Sequence, residues 1–532
     1  MPSAPPPART PVPTPVPRRA LLRSGAVLAV GVGAAATASC TDGGGRRPAT
    51  ASSPGSHEVL ARTDGGAGVV DPASLRDALG LAAASLTATR ALVQRSTAVV
   101  VSAADGPGLT EGIRTATRLG LPLLVTGSGG SADSAGLEAE LARLGTRTVV
   151  RATTTSGASR AVPERFGARE VLDASASGSA LPGLPRRPEG RGATVLVRRG
   201  ATVPEALEPT LSAVGARRVT VSHPDPRVDE EARAALKEHA DAAVLAVGAG
   251  VGDAARLAQR VRTARKAPEL PGGGLLPFPG RLMVALYGHP GTAALGMLGE
   301  QSAEAAALRA RSVADEYAAL TETRVVPAFE LIATVASGSK GRDGDYSSPT
   351  PVRRLLPWVQ HAERAGAYVV LDLQPGRAHF LDQAKAYEEL LRRPWVGLAL
   401  DPEWRLLPDE KHLDQIGSVS VEEVNEVGAW LAGLVRDRDL PPKVLTLHQF
   451  RPSMVRGRER LDTSLDEIQW LVHADGQGGQ GAKQDTWRAL RRDLPENVWL
   501  GWKNFEHEDT PMLTPAQTLE QVRPTPQLVS YQ

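Results

Sequence analysis

Val396–Trp404 reads VGLALDPEW. A short apolar run stops abruptly at Asp401, Pro402, Glu403 and Trp404. An apolar run bounded in this way predicts a buried strand. Side chains two apart on a strand share a face, so Asp401 and Glu403 are expected to point the same way beside an aromatic ring. Working outward, runs of the same kind recur at Leu282–Tyr287, Val325–Val335, Tyr368–Leu373, Val444–His448, Ile468–His473, Val498–Trp502 and Leu528–Tyr531. Helical patterns separate most of them, at Ala303–Ala319, Val352–Ala365, Ala378–Arg392, Val421–Arg436, Lys483–Arg492 and Pro515–Gln521. Irregular or helical chain is expected at Met454–Glu467. Eight strands over residues 281–532 match the count and length of a (β/α)8 TIM-like barrel. The alternative, a doubly wound sheet, does not need eight strands.

Such barrels carry chemistry at the C-terminal ends of their strands. Those ends supply His289, Glu330, Asp372, Gln374, Asp401, Glu403, His448, Gln449, Asp475, Lys503, Glu506 and Tyr531, with Tyr287, Trp404, Trp470 and Trp502 among them. Carboxyls beside tryptophans suit polysaccharide cleavage. Two carboxyls protonate the leaving oxygen and activate water or attack, and flat rings stack on sugars. The catalytic candidates are Glu403, Asp401 and Asp372, with Trp404, Trp502, His448 and Asp475 as substrate contacts. The competing reading is that polar strand ends simply face water at the barrel mouth.

The Asp-x-Glu at 401–403 resembles the pair that family 18 and family 25 glycoside hydrolases place on barrel-like folds. The resemblance implies Glu403 as general acid and Asp401 as its orienting partner. The longer family 18 motif is not met, because Val396 and Ala399 stand at its earlier acidic places and Pro402 separates the pair.

The preceding segment has a different composition. All eight Trp fall between Trp358 and Trp502, and the first 350 residues are rich in Ala, Gly, Val and Arg. Strand-like runs at Thr97–Ser102, Leu121–Thr126 and Thr146–Arg151 recur 96 residues later at Ala193–Arg198, Arg217–Ser222 and Ala242–Val247. Three equal offsets predict two tandem α/β repeat modules, at 57–160 and 161–272, with mostly parallel sheets. A glycine-rich linker, Pro271–Gly280, leads into the barrel. Val99–Leu119, LPLLVTGSGG and LEAELARLGTRTVV are similar to the actinobacterial and clostridial cell wall-binding repeat of type 2. That similarity implies attachment to anionic wall polymers, although such modules usually act in threes and two are found. The turn Val247–Asp253 lacks the last glycine of a dinucleotide fingerprint. Its Asp253 would repel a phosphate, so a plain strand-to-helix turn is expected.

The N-terminus reads as targeting sequence. Arg18-Arg19, a weakly apolar Gly25–Ala38 and Ala38-Ser39-Cys40 resemble a twin-arginine signal peptide (1–40) ending in a bacterial lipobox, with Thr37 in place of the usual Leu. The resemblance implies export, lipid attachment at Cys40 and location on the outer face of the cytoplasmic membrane. Residues 41–56 are expected to form a disordered linker. Cys40 is the one cysteine, so no intrachain disulfide forms. Net charge is +2, without the basic stripe that nucleic acid requires. Gly-x-Ser-x-Gly, a nucleotide loop and Cys-x-x-Cys are all missing, and no cofactor or metal is expected. The acidic run Glu506–Asp509 is contiguous and reads as a solvated loop rather than a metal site. The expected partners are wall polymers or polysaccharide and, through Cys40, the membrane. The two functional readings are a wall-polysaccharide hydrolase and a non-catalytic envelope-binding protein.

Overall fold

The computed structural model describes residues 57–532 apart from 76, 105, 128–130, 154–161 and 175–191. The signal segment with Cys40 and the 41–56 linker lie outside the described residues.

The C-terminal part is a closed barrel of eight parallel strands, β1 (Arg281–Gly288), β2 (Arg324–Ala336), β3 (Tyr368–Leu373), β4 (Val396–Leu400), β5 (Lys443–Gln449), β6 (Ile468–Ala474), β7 (Trp499–Asn504) and β8 (Leu528–Tyr531). β1 pairs with β2 from Arg281↔Arg324 to Gly288↔Leu331 and with β8 from Met283↔Leu528 to Leu286↔Tyr531. That closure removes the doubly wound alternative. Every residue of β1, β3, β4 and β5 is buried. Both faces of a parallel sheet are covered, so its strands are continuous apolar runs rather than alternating ones. A short antiparallel strand, Ser347–Pro349, extends the top of β2.

Helices α1 (Ala303–Ala318), α2 (Val352–Arg364), α3 (Phe380–Ala386), α4 (Glu388–Leu391), α5 (Val421–Asp437), α6 (Gln480–Leu490) and α7 (Pro515–Gln521) form the outer layer. Several begin on side-chain caps that satisfy otherwise open N–H groups, as with Ser302 on α1, Ser420 on α5 and the Thr514–Gln517 capping box on α7. Between β5 and β6 there is no helix longer than the 3-10 turns Pro452–Met454 and Arg458–Arg460, and a two-residue strand, Val455–Arg456, pairs with Val419–Ser420. α5 seats directly on the Trp470 ring. A Cβ at Gly428 would stand 2.6 Å from that ring, so only glycine fits.

The N-terminal part holds two four-stranded parallel sheets around shared helices. One orders strands 123–126, 98–103, 148–152 and 170–174, and the other orders 217–221, 194–198, 244–247 and 67–70. Each sheet takes its edge strand from the other side of the 160/161 boundary expected from the repeat. Ala67–Val70 pairs with 244–247, and Glu170–Ala174 pairs with 148–152. One core runs through both sheets, from Val99 and Leu123 to Val195 and Leu245. Asp253 accepts a hydrogen bond from Arg256 N (2.8 Å) and caps helix Ala254–Lys266, which accounts for its place in the glycine-rich turn. Arg227 and Arg260 reach Asp466, just before β6, at 3.0 and 2.6 Å and tie this part to the barrel.

Candidate active site

At the C-terminal ends of the strands lies a cavity of about 550 Å3. Its walls include Tyr287, Gln374, Asp401, Glu403, Trp404, Phe450, Asp475, Lys503 and Phe505. The chain leaves β4 at Leu400, one residue before Asp401. Pro402 has no N–H for a ladder and sits at the first position of a 3-10 turn, Pro402–Trp404. Glu403 therefore stands on a turn rather than on a strand, as the spacing argument had it, yet both acids still face the cavity. Asp401 precedes the turn without capping it, which leaves its carboxyl free for the interior. Gly417 N donates to Glu403 O (2.8 Å), and Arg405 bridges Glu423 (3.1 Å), so the turn is held from both sides.

A chain of charged contacts runs under and along the wall. Glu330 Oε1 lies 3.0 Å from His448 Nε2, and His448 Nδ1 lies 2.8 Å from Asp475 Oδ2. Lys503 Nζ completes it, 2.9 Å from Asp475 Oδ1 and 3.5 Å above the Tyr287 ring. Tyr287 donates to Asp372 Oδ2 (2.9 Å) and receives from Gln374 Nε2 (3.3 Å). Burial alone would depress the His448 imidazolium, but Glu330 and Asp475 outweigh it and hold the ring well above its ordinary range. Burial would raise Asp475, and Lys503 with His448 reverses this and keeps it ionised.

Five carboxyls (Glu330, Asp372, Asp401, Glu403, Asp475) share these two cations, and the excess is visible in the others. Glu403 is pushed up to about 7 by burial and then by the Asp475 charge. Asp401 is driven well above its normal range by burial and by Asp372. Asp372 rises as well, chiefly through burial. Carboxyls whose acidities are forced apart in one cavity can divide acid and base work. Here Glu403 is raised so that it holds a proton below about pH 7, and Asp475 stays ionised.

The sequence-predicted residues separate into three groups. Asp401, Glu403, Trp404 and Asp475 meet on the cavity wall. Asp372 and His448 are fully buried below it and touch the wall residues rather than the cavity. Trp502 is a correction. Its ring faces the helical layer, 1 % exposed, packed 5.8 Å edge-on from Trp487, with Nε1 donating to Asn504. Strand alternation explains this, because Lys503 points inward and Trp502 must point out. Trp470 is buried likewise against α5. In the 506–509 run, Glu506, His507 and Glu508 are exposed, while Asp509 is buried on Lys483 (2.7 Å).

His473 was missed among the candidates, although it lies beside Glu330 and His448 and bonds Ser530 Oγ (3.1 Å). The signal was available, since a histidine inside an apolar strand needs a buried partner. Among the described residues, Glu330, His448 and His473 are the group able to hold a metal ion.

Comparison with known proteins adds no assignment. No family model matches the chain, and no curated protein matches it.

Proposed function

We propose that the protein is an exported glycoside hydrolase acting on a wall or capsular polysaccharide. The observation that carries this reading is that Glu403 and Asp475 stand on the wall of one cavity lined by aromatic rings, with burial and the Asp475 charge raising Glu403 to about 7 and Lys503 keeping Asp475 ionised. Glu403 donates its proton to the leaving glycosidic oxygen. Asp475, kept charged by Lys503 and His448, activates water or attacks the sugar carbon. Asp401 orients Glu403 or a substrate group. Asp372 acts from below, through Tyr287. Trp404, Phe450 and Phe505 offer apolar faces to the C–H side of a sugar ring.

In a purely binding protein Asp372, Asp401 and Glu403 would be locked in salt bridges with Lys503 or an arginine. Among the described residues neither Asp401 nor Glu403 has an ion pair, whereas Asp475 is paired with Lys503. The free Asp401 and Glu403 favour the catalytic reading. The N-terminal sheets, with their 96-residue offset and shared strand order, are read as two repeat modules that grip anionic wall polymer. Cys40 is read as the lipid anchor. No helix among the described residues is long and apolar enough to cross a membrane.

The test is release of reducing ends from purified wall polysaccharides. Glu403→Gln should lower kcat by about 10²–10⁴-fold with little change in KM. Wild-type protein that sediments with wall material yet releases nothing would leave the binding reading standing in its place.

A further inference from the structure

Below the cavity floor, side chains of β2, β5 and β6 converge on one point, and Asp372 of β3 lies beside them. Glu330 Oε1 is 3.0 Å from His448 Nε2 and 3.6 Å from His473 Nδ1, and Asp372 Oδ1 is 3.9 Å from His448 Nε2. A tetrahedral ion with bonds of about 2.0–2.1 Å spaces its ligands about 3.4 Å apart, which these separations bracket. All four side chains are fully buried. Three of their polar atoms, Glu330 Oε2, Asp372 Oδ1 and His473 Nδ1, have no hydrogen-bond partner. Buried polar atoms are ordinarily paired. Of the converging atoms, His473 Nδ1 is unpaired while Glu330 Oε1 and His448 Nε2 bond each other, and the surplus of carboxyls over cations favours a positive partner common to all three.

The surroundings are those of a supported site. Each contact beyond the converging atoms fixes a ligand or its neighbour Asp372. Asp475 Oδ2 lies 2.8 Å from His448 Nδ1, Ser530 Oγ 3.1 Å from His473 Nε2, and Tyr287 donates to Asp372 Oδ2 at 2.9 Å. A carboxylate behind a ligating imidazole is the usual orienting arrangement at metal centres. Gly501 on β7 leaves room for the second imidazole, since a Cβ there would come within 2.8 Å of His473 Cδ2.

We propose that Glu330, His448 and His473 hold a divalent transition-metal ion of the zinc class, with Asp372 beside the site on its His448 flank. Two imidazoles with a carboxylate suit that class better than calcium or magnesium, which prefer oxygen alone. Three strands of the barrel then share one ion beneath the floor. His448, bound through Nε2, keeps its proton on Nδ1 and presents it to Asp475. The ion would take the place of the proton on His448 Nε2 and leave the Asp475 contact at Nδ1, so metal content is measured separately from sugar cleavage.

The test is metal content of the full chain, purified without a metal-affinity step and measured by plasma mass spectrometry. About one equivalent of zinc per chain is expected. Chelation should lower Tm, and Zn2+ should restore it. Glu330→Gln and His473→Gln should lose the metal, and Asp475→Asn should bind it about 10- to 100-fold more weakly. Glu403→Gln should keep the full equivalent even if it abolishes sugar cleavage. Should the ligand variants fail to fold, Co2+ added to chelator-treated wild-type protein still decides, with four-coordinate visible absorption expected. Stripped wild-type protein that takes up neither Zn2+ nor Co2+ overturns the proposal. So does a full zinc equivalent in the His473→Gln protein.

Discussion

The two ends of the barrel each bury a lysine, and the pair shows what burial alone does and does not decide. Lys443, at the start of β5, is fully buried and donates to the carbonyls of Arg393 and Val396, both at 2.7 Å. It has no carboxylate, and burial pushes it down to about 7. Lys503, near the end of β7, is equally buried, yet Asp475 and Glu330 overcome that penalty and raise it. Around it the first end packs Met283, Ala285, Val370, Val444 and Leu471, and its other buried cation, Arg281, is likewise held by carbonyls, those of Pro271 and Gly273. The second gathers carboxyls. The fold places a charge at each end, but only at the mouth does it surround that charge with groups whose acidities diverge. A lysine capped by carbonyls plugs a barrel end, whereas a lysine paired with a carboxylate sets the ionisation of a cavity wall.

Removing Lys503 should break this contrast most severely. Lys503→Met leaves Asp475 buried with less compensation. Losing one partner of a buried pair costs about 3–5 kcal/mol. Chemical denaturation at pH 7 should show a loss of that order, together with loss of any sugar cleavage.

Lys443→Met sharpens the contrast from the other side. Because the folded pKa of Lys443 lies below its unfolded value, the unfolded chain holds more protons between about pH 7 and 10. Stability should therefore rise with pH across that window in the wild type. The variant should flatten that slope while leaving cavity chemistry intact. Denaturation midpoints at pH 7 and pH 10 read this directly, and an unchanged slope would mean that Lys443 is not strained by burial.

The smallest effect is expected at Asp401. Its folded pKa is raised, so it contributes stability below its unfolded pKa and loses it as pH rises through the folded value. Asp401→Asn removes that loss. The variant should gain Tm relative to wild type at pH 8 and show a smaller difference at pH 5.

Much of this was legible in the chain. Val396–Leu400 and its companions are buried on both faces, and a continuous apolar run is what such strands require. Asp401, Glu403 and Asp475 stood out because they terminate those runs. Three things were not legible. Listing strand ends ignores which face each residue occupies, and so Trp502 was placed beside Lys503 at the mouth. His473 ends the run Ile468–His473 just as His448 ends Val444–His448, and nothing in the spacing shows that its ring turns inward onto Glu330. The edge strands Ala67–Val70 and Glu170–Ala174 are short and half-exposed, and their pairing across the expected module boundary depends on tertiary contacts that periodicity does not carry.

The central claim is that Glu403 is the protonated carboxyl of a cleaving pair. The most direct measurement is the pH profile of kcat/KM for reducing-end release by the wild-type protein. A general acid with a pKa near 7 predicts a descending limb centred close to neutrality, with activity retained on the acid side. A profile that stays flat from pH 6 to 9, or full activity in Glu403→Gln, would contradict the account.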